Sequence, residues 1–114
     1  MQDISGDKLR GHLDTMLLSL LEQGAAHGFE LLKRLELAGH GFLQMKEGSL
    51  YPALYRLEAA GLVAGNWEDS AEPRRGPRRR YYRLTPKGKR QLQRGRDEWK
   101  QFVDVVGTIL LAPT

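Results

Sequence analysis

Residues 47–63 read Glu47-Gly48-Ser49-Leu50-Tyr51-Pro52-Ala53-Leu54-Tyr55-Arg56-Leu57-Glu58-Ala59-Ala60-Gly61-Leu62-Val63. At about 100° per residue, Leu50, Ala53, Leu54 and Leu57 fall within one arc, so the stretch predicts a helix with one buried side. Gly61 ends it, as a residue able to take the left-handed conformation after the last turn. Pro52 is the obstacle, because proline inside a helix deletes a hydrogen bond. With Ser49 as N-cap, Pro52 falls in the first turn, where its missing N–H has no partner to lose. The opposite arc then carries Gly48, Ser49, Pro52, Tyr55, Arg56 and Ala59, with Tyr51 on the flank.

Upstream, Leu9, Leu13, Met16, Leu17, Leu20 and Leu21 recur at spacings of three and four and predict one helix, stopped at Gly24. Phe29, Leu32 and Leu35, with Leu31 beside them, predict a second, stopped by Gly39 and Gly41. Downstream the period changes. Leu62–Asp69 and Arg79–Leu84 read as strands, joined by a loop with two prolines and a glycine. Thr85-Pro86 then opens a last helix, a capping hydroxyl followed by proline at the first helical position.

The expected fold is mainly α with a small β-hairpin: three helices, a hairpin and a long helix, the order of a winged helix-turn-helix. Residues 1–84 would form the DNA-binding unit and 85–114 a dimerisation helix, the two making one compact body. Along the last helix, Leu92, Trp99, Phe102, Val106, Ile109 and Leu110 form a stripe that so small a trihelical core has no room to cover. The plainest cover is a second copy of the chain.

Charge is distributed unevenly. The 114 residues carry a net charge of +4, yet Arg74 to Arg96 holds eleven bases and no acid. All fourteen acids and only seven bases lie elsewhere, so one contiguous segment is strongly cationic and points to a polyanion. Arg74, Arg75, Arg78, Arg79 and Arg80 crowd the hairpin loop, placed to enter a narrow minor groove. On the third helix, Arg56 suits a guanine edge, and Tyr55 a phosphate or a thymine methyl. Ser49 and the free N–H groups around it suit a phosphate, with Pro52 allowing close approach and Tyr51 within reach of the backbone. The same residues have a plainer reading in which Ser49 only caps, Tyr51 closes the core and Arg56 pairs with Glu58 or faces solvent.

Other classes find little support. There are no cysteines, so disulfides and thiolate metal sites are excluded. His12, His27 and His40 share no ligand spacing, and no phosphate loop or nucleophile arrangement is present, so neither an enzyme, a metal nor a cofactor is expected. No run of apolar residues is long enough for a membrane span and the N-terminus lacks a signal-peptide pattern, which makes the cytoplasm the expected location. The alternative to a DNA-binding regulator is a winged-helix module that docks an acidic protein through its basic wing.

Residues 47–63 and the segment Gly76-Pro77-Arg78-Arg79-Arg80-Tyr81-Tyr82-Arg83-Leu84-Thr85 resemble the PadR-like transcriptional regulators. The family pattern is G-T/S-L-Y-P followed by L-x-R-L-E-x-x-G-L, then basic residues, Tyr-Tyr-x-Leu-Thr and a glycine, here Gly88. Leu9-Arg10-Gly11 and the region from Gly24 to Leu31 look like further family features. The resemblance implies a homodimeric repressor on a pseudo-palindromic double-stranded operator, released by a small molecule. A single helix after the wing looks like the short subfamily. In its multidrug-responsive members a tryptophan of the last helix lines a pocket at the dimer interface, a place that Trp99 matches. Phe102, Val103 and Val106 would then wall the pocket for a planar aromatic or cationic ligand, with Met16 adding an adaptable side.

Overall fold

The computed structural model describes residues 3–4, 6–9, 11–43, 45–69 and 76–113. The elements run α1 (Gly6–Leu9), α2 (Leu13–Leu21), α3 (Gly28–Ala38), α4 (Glu47–Ala59), β1 (Val63–Trp67), β2 (Arg80–Leu84) and α5 (Pro86–Leu110). The expected order is present, with one break. Leu9 does not begin the same helix as Leu13, because Gly11 sits at φ +90° and His12 becomes the N-cap of α2. Leu17, Leu18, Leu20 and Leu21 of α2 are buried, with Leu13 and Met16 packed against the core from its edge.

Helix α2 ends under a clasp that the sequence did not announce. The Arg34 guanidinium donates to the Leu20 carbonyl at 3.2 Å and the Gly24 carbonyl at 2.8 Å. A cation there answers the unpaired carbonyls and negative end of the helix. In α3 the buried line is Gly28, Leu31 and Leu35. Phe29, expected on the apolar stripe, is 53% exposed. It stands one residue, about 100°, away from that line.

Helix α4 buries Leu50, Ala53, Leu54 and Leu57, as expected, but it starts three residues earlier than a Ser49 cap would place it. Lys46 is the N-cap, and its carbonyl accepts from Ser49 N at 2.9 Å and Leu50 N at 3.1 Å. Ser49 is therefore inside the first turn rather than capping it. Pro52 lies in the second turn and leaves the Gly48 carbonyl without its helical donor. Gly48 is exposed, so water can serve that oxygen.

Strands β1 and β2 pair antiparallel from Val63↔Leu84 to Trp67↔Arg80. An extra rung ties the hairpin to the connection between α2 and α3: Ala26 N donates to Tyr82 O at 3.0 Å and Tyr82 N to Ala26 O at 2.9 Å. Ala26 and Tyr82 are both buried. Burial, then the nearby Glu58 charge, pushes the Tyr82 phenol above its usual 10.0. The folded state thus holds the Tyr82 proton more tightly than the unfolded chain does. Stability contributed by Tyr82 is full below pH 10 and should be lost as pH rises through the folded value. Denaturant titration between pH 9 and 11 (roughly one unit either side of the free phenol) should show this fall in the parent and a smaller one in Tyr82→Phe.

Thr85 caps α5 and joins three elements. Its hydroxyl accepts from Gly88 N at 3.0 Å and lies 2.7 Å from the Gly61 carbonyl and 3.0 Å from that of Leu62. Gly88 is needed here, since a Cβ would overlap the Leu62 carbonyl. One turn further on, Leu92 is 1% exposed. This corrects its expected place at a dimer seam: the first half of α5 lies on α2 and seals Leu92 inside the protomer's own core. Gly95 meets Thr15, and Arg96 holds Glu22 at 2.6 Å and Ser19 at 3.1 Å. Beyond Arg96 the helix overhangs the core. Among the described residues no helix is long and apolar enough to cross a membrane.

Candidate nucleic-acid interface

Sealing Leu50, Ala53, Leu54 and Leu57 leaves the other side of α4 in solvent. Gly48, Ser49, Pro52, Tyr55, Arg56 and Ala59 are all exposed, Tyr55 to 77%. Arg56 does not meet Glu58. Its Nη2 lies 3.2 Å from Asp14 Oδ1, and both side chains are about half exposed, at 58% and 48%. An ion pair so open to water holds little free energy, so Arg56 can exchange Asp14 for a base edge. Tyr51 is 43% exposed. Its ring covers the start of α3, where a Cβ on Gly28 would stand 2.5 Å from the phenol oxygen, while its outer edge remains in solvent.

The hairpin stands beside this face. Arg78 is exposed, with Nη2 donating to the Glu68 carbonyl at 3.0 Å and the guanidinium 5.9 Å from the Trp67 ring. Arg79 is half-buried and its amide donates to Glu68 Oε1 at 3.0 Å. Arg74 and Arg75 lie outside the described residues. Arg80 must be corrected. Although it sits in the same arginine run, its guanidinium faces inward, with Nη2 2.5 Å and Nε 3.4 Å from the two Glu58 carboxylate oxygens. It lies over Trp67 at 5.2 Å and beside Tyr82 at 6.0 Å. The contact with Glu58 favours its charged form further. An arginine so engaged is not free to grip a phosphate.

Between α3, α4 and the hairpin runs a cleft of about 400 Å³, walled by Phe29, Tyr51, Trp67, Arg78 and Arg79 among others. Trp67, 57% exposed, and Glu58 did not stand out in the sequence as parts of this face. The signal for Trp67 was present in the two-residue period of the hairpin, which puts Arg78 and Arg80 on one face with Trp67 opposite Arg80.

The overhanging half of α5 carries a separate apolar face. Trp99 is 49% exposed, Phe102 50%, Ile109 72% and Leu110 75%, with Val103 and Val106 between them. Trp99 and Phe102 stack, with centroids 5.8 Å apart and planes at 20°. The His12 imidazole, not anticipated here, meets Trp99 edge-on at 5.1 Å and Phe102 at 5.8 Å. Met16 is half-buried on α2. A continuous apolar face of this kind marks a contact surface.

Comparison with known proteins supports one family. A sequence model described as the transcriptional regulator PadR-like family matches residues 17–94. An uncharacterised protein of Lysinibacillus sphaericus is 29% identical over 103 residues, 90% of this chain and 92% of that protein. Among solved structures, a transcriptional regulator from Clostridium thermocellum is 32% identical with a TM-score of 0.81, over 90% of this chain and 97% of that one. A PadR family transcriptional regulator from Eggerthella lenta is 34% identical with a TM-score of 0.78, over 94% and 88% of the two chains. A PadR-like regulator from Bacillus cereus is 31% identical with a TM-score of 0.76, over 95% and 100%.

Proposed function

The chain belongs to the PadR-like family of transcriptional regulators, and on that footing we propose that it acts in the cytoplasm as a two-fold homodimeric repressor, with residues 1–84 reading DNA and 85–114 pairing the protomers. Helix α4 enters the major groove through Ser49, Tyr51, Pro52, Tyr55 and Arg56. The hairpin lays Arg78 and Arg79, with Arg74 and Arg75, on the neighbouring backbone or minor groove. The observation that carries this reading is the exposed outer face of α4, with Tyr55 and Arg56, standing beside a hairpin that presents Arg78 to solvent, while the apolar face of α4 is sealed. Two such heads about 34 Å apart require a pseudo-palindromic operator.

The test is to enrich a duplex from a randomised pool with the parent protein, then measure binding against salt. Replacing Arg78 and Arg79 by alanine should weaken binding and flatten the salt dependence by about 0.9 in log–log slope for each phosphate no longer neutralised. An unchanged slope and affinity would remove the hairpin from the interface.

Release of the repressor is assigned to the α5 face. Trp99, with Phe102, Val103, Val106 and Met16, would line a slot between the two copies, where a planar aromatic or cationic molecule stacks. What supports this is the stacked, half-exposed Trp99–Phe102 pair on the surface proposed to meet its copy. Titration of planar dyes into a Trp67→Phe variant isolates the Trp99 emission, while release of the enriched duplex is followed in the parent protein. Quenching should coincide with loss of the enriched duplex at the same dye concentrations, and quenching without that loss would reject an inducer role.

A further inference from the structure

Arg80 and Glu58 come from different parts of the proposed DNA-binding face. Glu58 is in the last turn of α4, two residues from Arg56, and Arg80 is the first residue of β2. The fork between them is two-pronged, at 2.5 and 3.4 Å. The guanidinium is held on its other sides as well. Trp67, its partner in the strand register, lies under it, and Tyr82 stands at its edge. Gly65 leaves the space it occupies, since a Cβ there would stand 2.6 Å from Arg80 Nε. With 26% and 33% side-chain exposure, the pair is neither a free surface bridge nor part of the core. A planar, five-donor guanidinium fits such a slot, while a lysine ammonium matches neither the fork nor the stacking.

We propose that Arg80 and Glu58 are positioning residues that fix the angle between the hairpin and α4, so that both reach one stretch of duplex at once. This rests on the DNA-binding reading above. It runs against charge counting. Glu58 is an anion close to a polyanion, and electrostatics alone expects tighter binding when it is neutralised. As a positioning group, its loss should weaken specific binding instead. Arg80→Lys keeps the charge, so charge counting expects no change, whereas loss of the fork should mimic the Glu58 variant.

The experiment compares the parent, Glu58→Gln and Arg80→Lys, each on the duplex enriched by the parent and on calf-thymus DNA, with melting temperatures alongside. Both variants should bind the enriched duplex about tenfold more weakly, the size expected for losing a charged hydrogen bond. Calf-thymus affinity should stay constant, or rise for Glu58→Gln, because non-specific binding follows charge and needs no fixed angle. Melting temperatures should fall by no more than a few degrees, leaving both variants folded at the assay temperature. Glu58→Gln binding the enriched duplex as tightly as the parent, or more tightly, overturns the proposal. A loss shared equally by both DNAs, or one accounted for by unfolding at the assay temperature, overturns it too. Failure of the parent to enrich any duplex is a different result, which overturns the DNA-binding reading and this inference with it.

Discussion

Phe102→Glu is expected to turn a dimer into a monomer and to remove operator binding with it. Phe102 is half exposed in the protomer, so little of the protomer's own fold depends on it. In a two-fold seam each substitution counts twice. Fully burying an aromatic side chain stabilises by roughly 1.5–3 kcal/mol, and with half of Phe102 already covered the pair contributes about 1.5–3 kcal/mol before the cost of desolvating two carboxylates is added. That is a loss of at least roughly one to two orders of magnitude in dimer affinity. Sedimentation at micromolar concentration should show the parent as a dimer and the variant as a monomer with the parent's melting behaviour in dilute solution. Binding to a single half-site should persist weakly, while binding to the full palindrome collapses. A parent that sediments as a monomer, or a variant that still pairs, would place the seam elsewhere.

Gly88→Ala should cost stability on the order of 3 kcal/mol, although helix propensity alone favours alanine by about 1 kcal/mol. The added Cβ overlaps the Leu62 carbonyl and comes within 2.9 Å of Leu84 Cδ1. The Leu84 methyl can rotate away, but the Leu62 carbonyl cannot step aside. Leu62 O is fixed by Thr85 N at 3.2 Å as well as by the Thr85 hydroxyl, and the next residue, Val63, is tied into the β-ladder opposite Leu84. Urea denaturation should therefore give a lower midpoint at an unchanged slope. A midpoint equal to the parent's would mean that α5 can slide away from Leu62.

Much of this fold was legible because the determining signals are local. The four apolar positions of α4, the change to a two-residue period after Gly61, and Thr85-Pro86 each specify a structure within a few residues. The misreadings arise where the deciding partner is distant. Leu92 and Trp99 belong to one stripe, and its spacing cannot tell which half meets α2 and which half is left bare. The hint was Gly95, whose missing side chain lets α5 cross Thr15. Arg80 looks like its neighbours in an arginine run. Only Glu58, twenty-two residues earlier, takes it inward. Ser49 has the right chemistry for a cap, but the backbone closes on Lys46 first. The Ala26–Tyr82 rung is one residue long on the Ala26 side, too short to leave a periodicity.

The grip on α5 has a mechanical consequence. Held at its root by Thr85 and Gly88 and again at Gly95, the helix cannot turn without carrying its whole head along. In the proposed dimer, two such rods meeting at Trp99 would behave as a pair of callipers. From Pro86 to Trp99 each arm would be roughly 20 Å long. Opening the crossing by ~10° would move a head by roughly 3.5 Å, close to the ~3.4 Å rise of one base along a strand. A molecule wedged at that pivot would therefore need only about ten degrees to take both heads out of step with the groove.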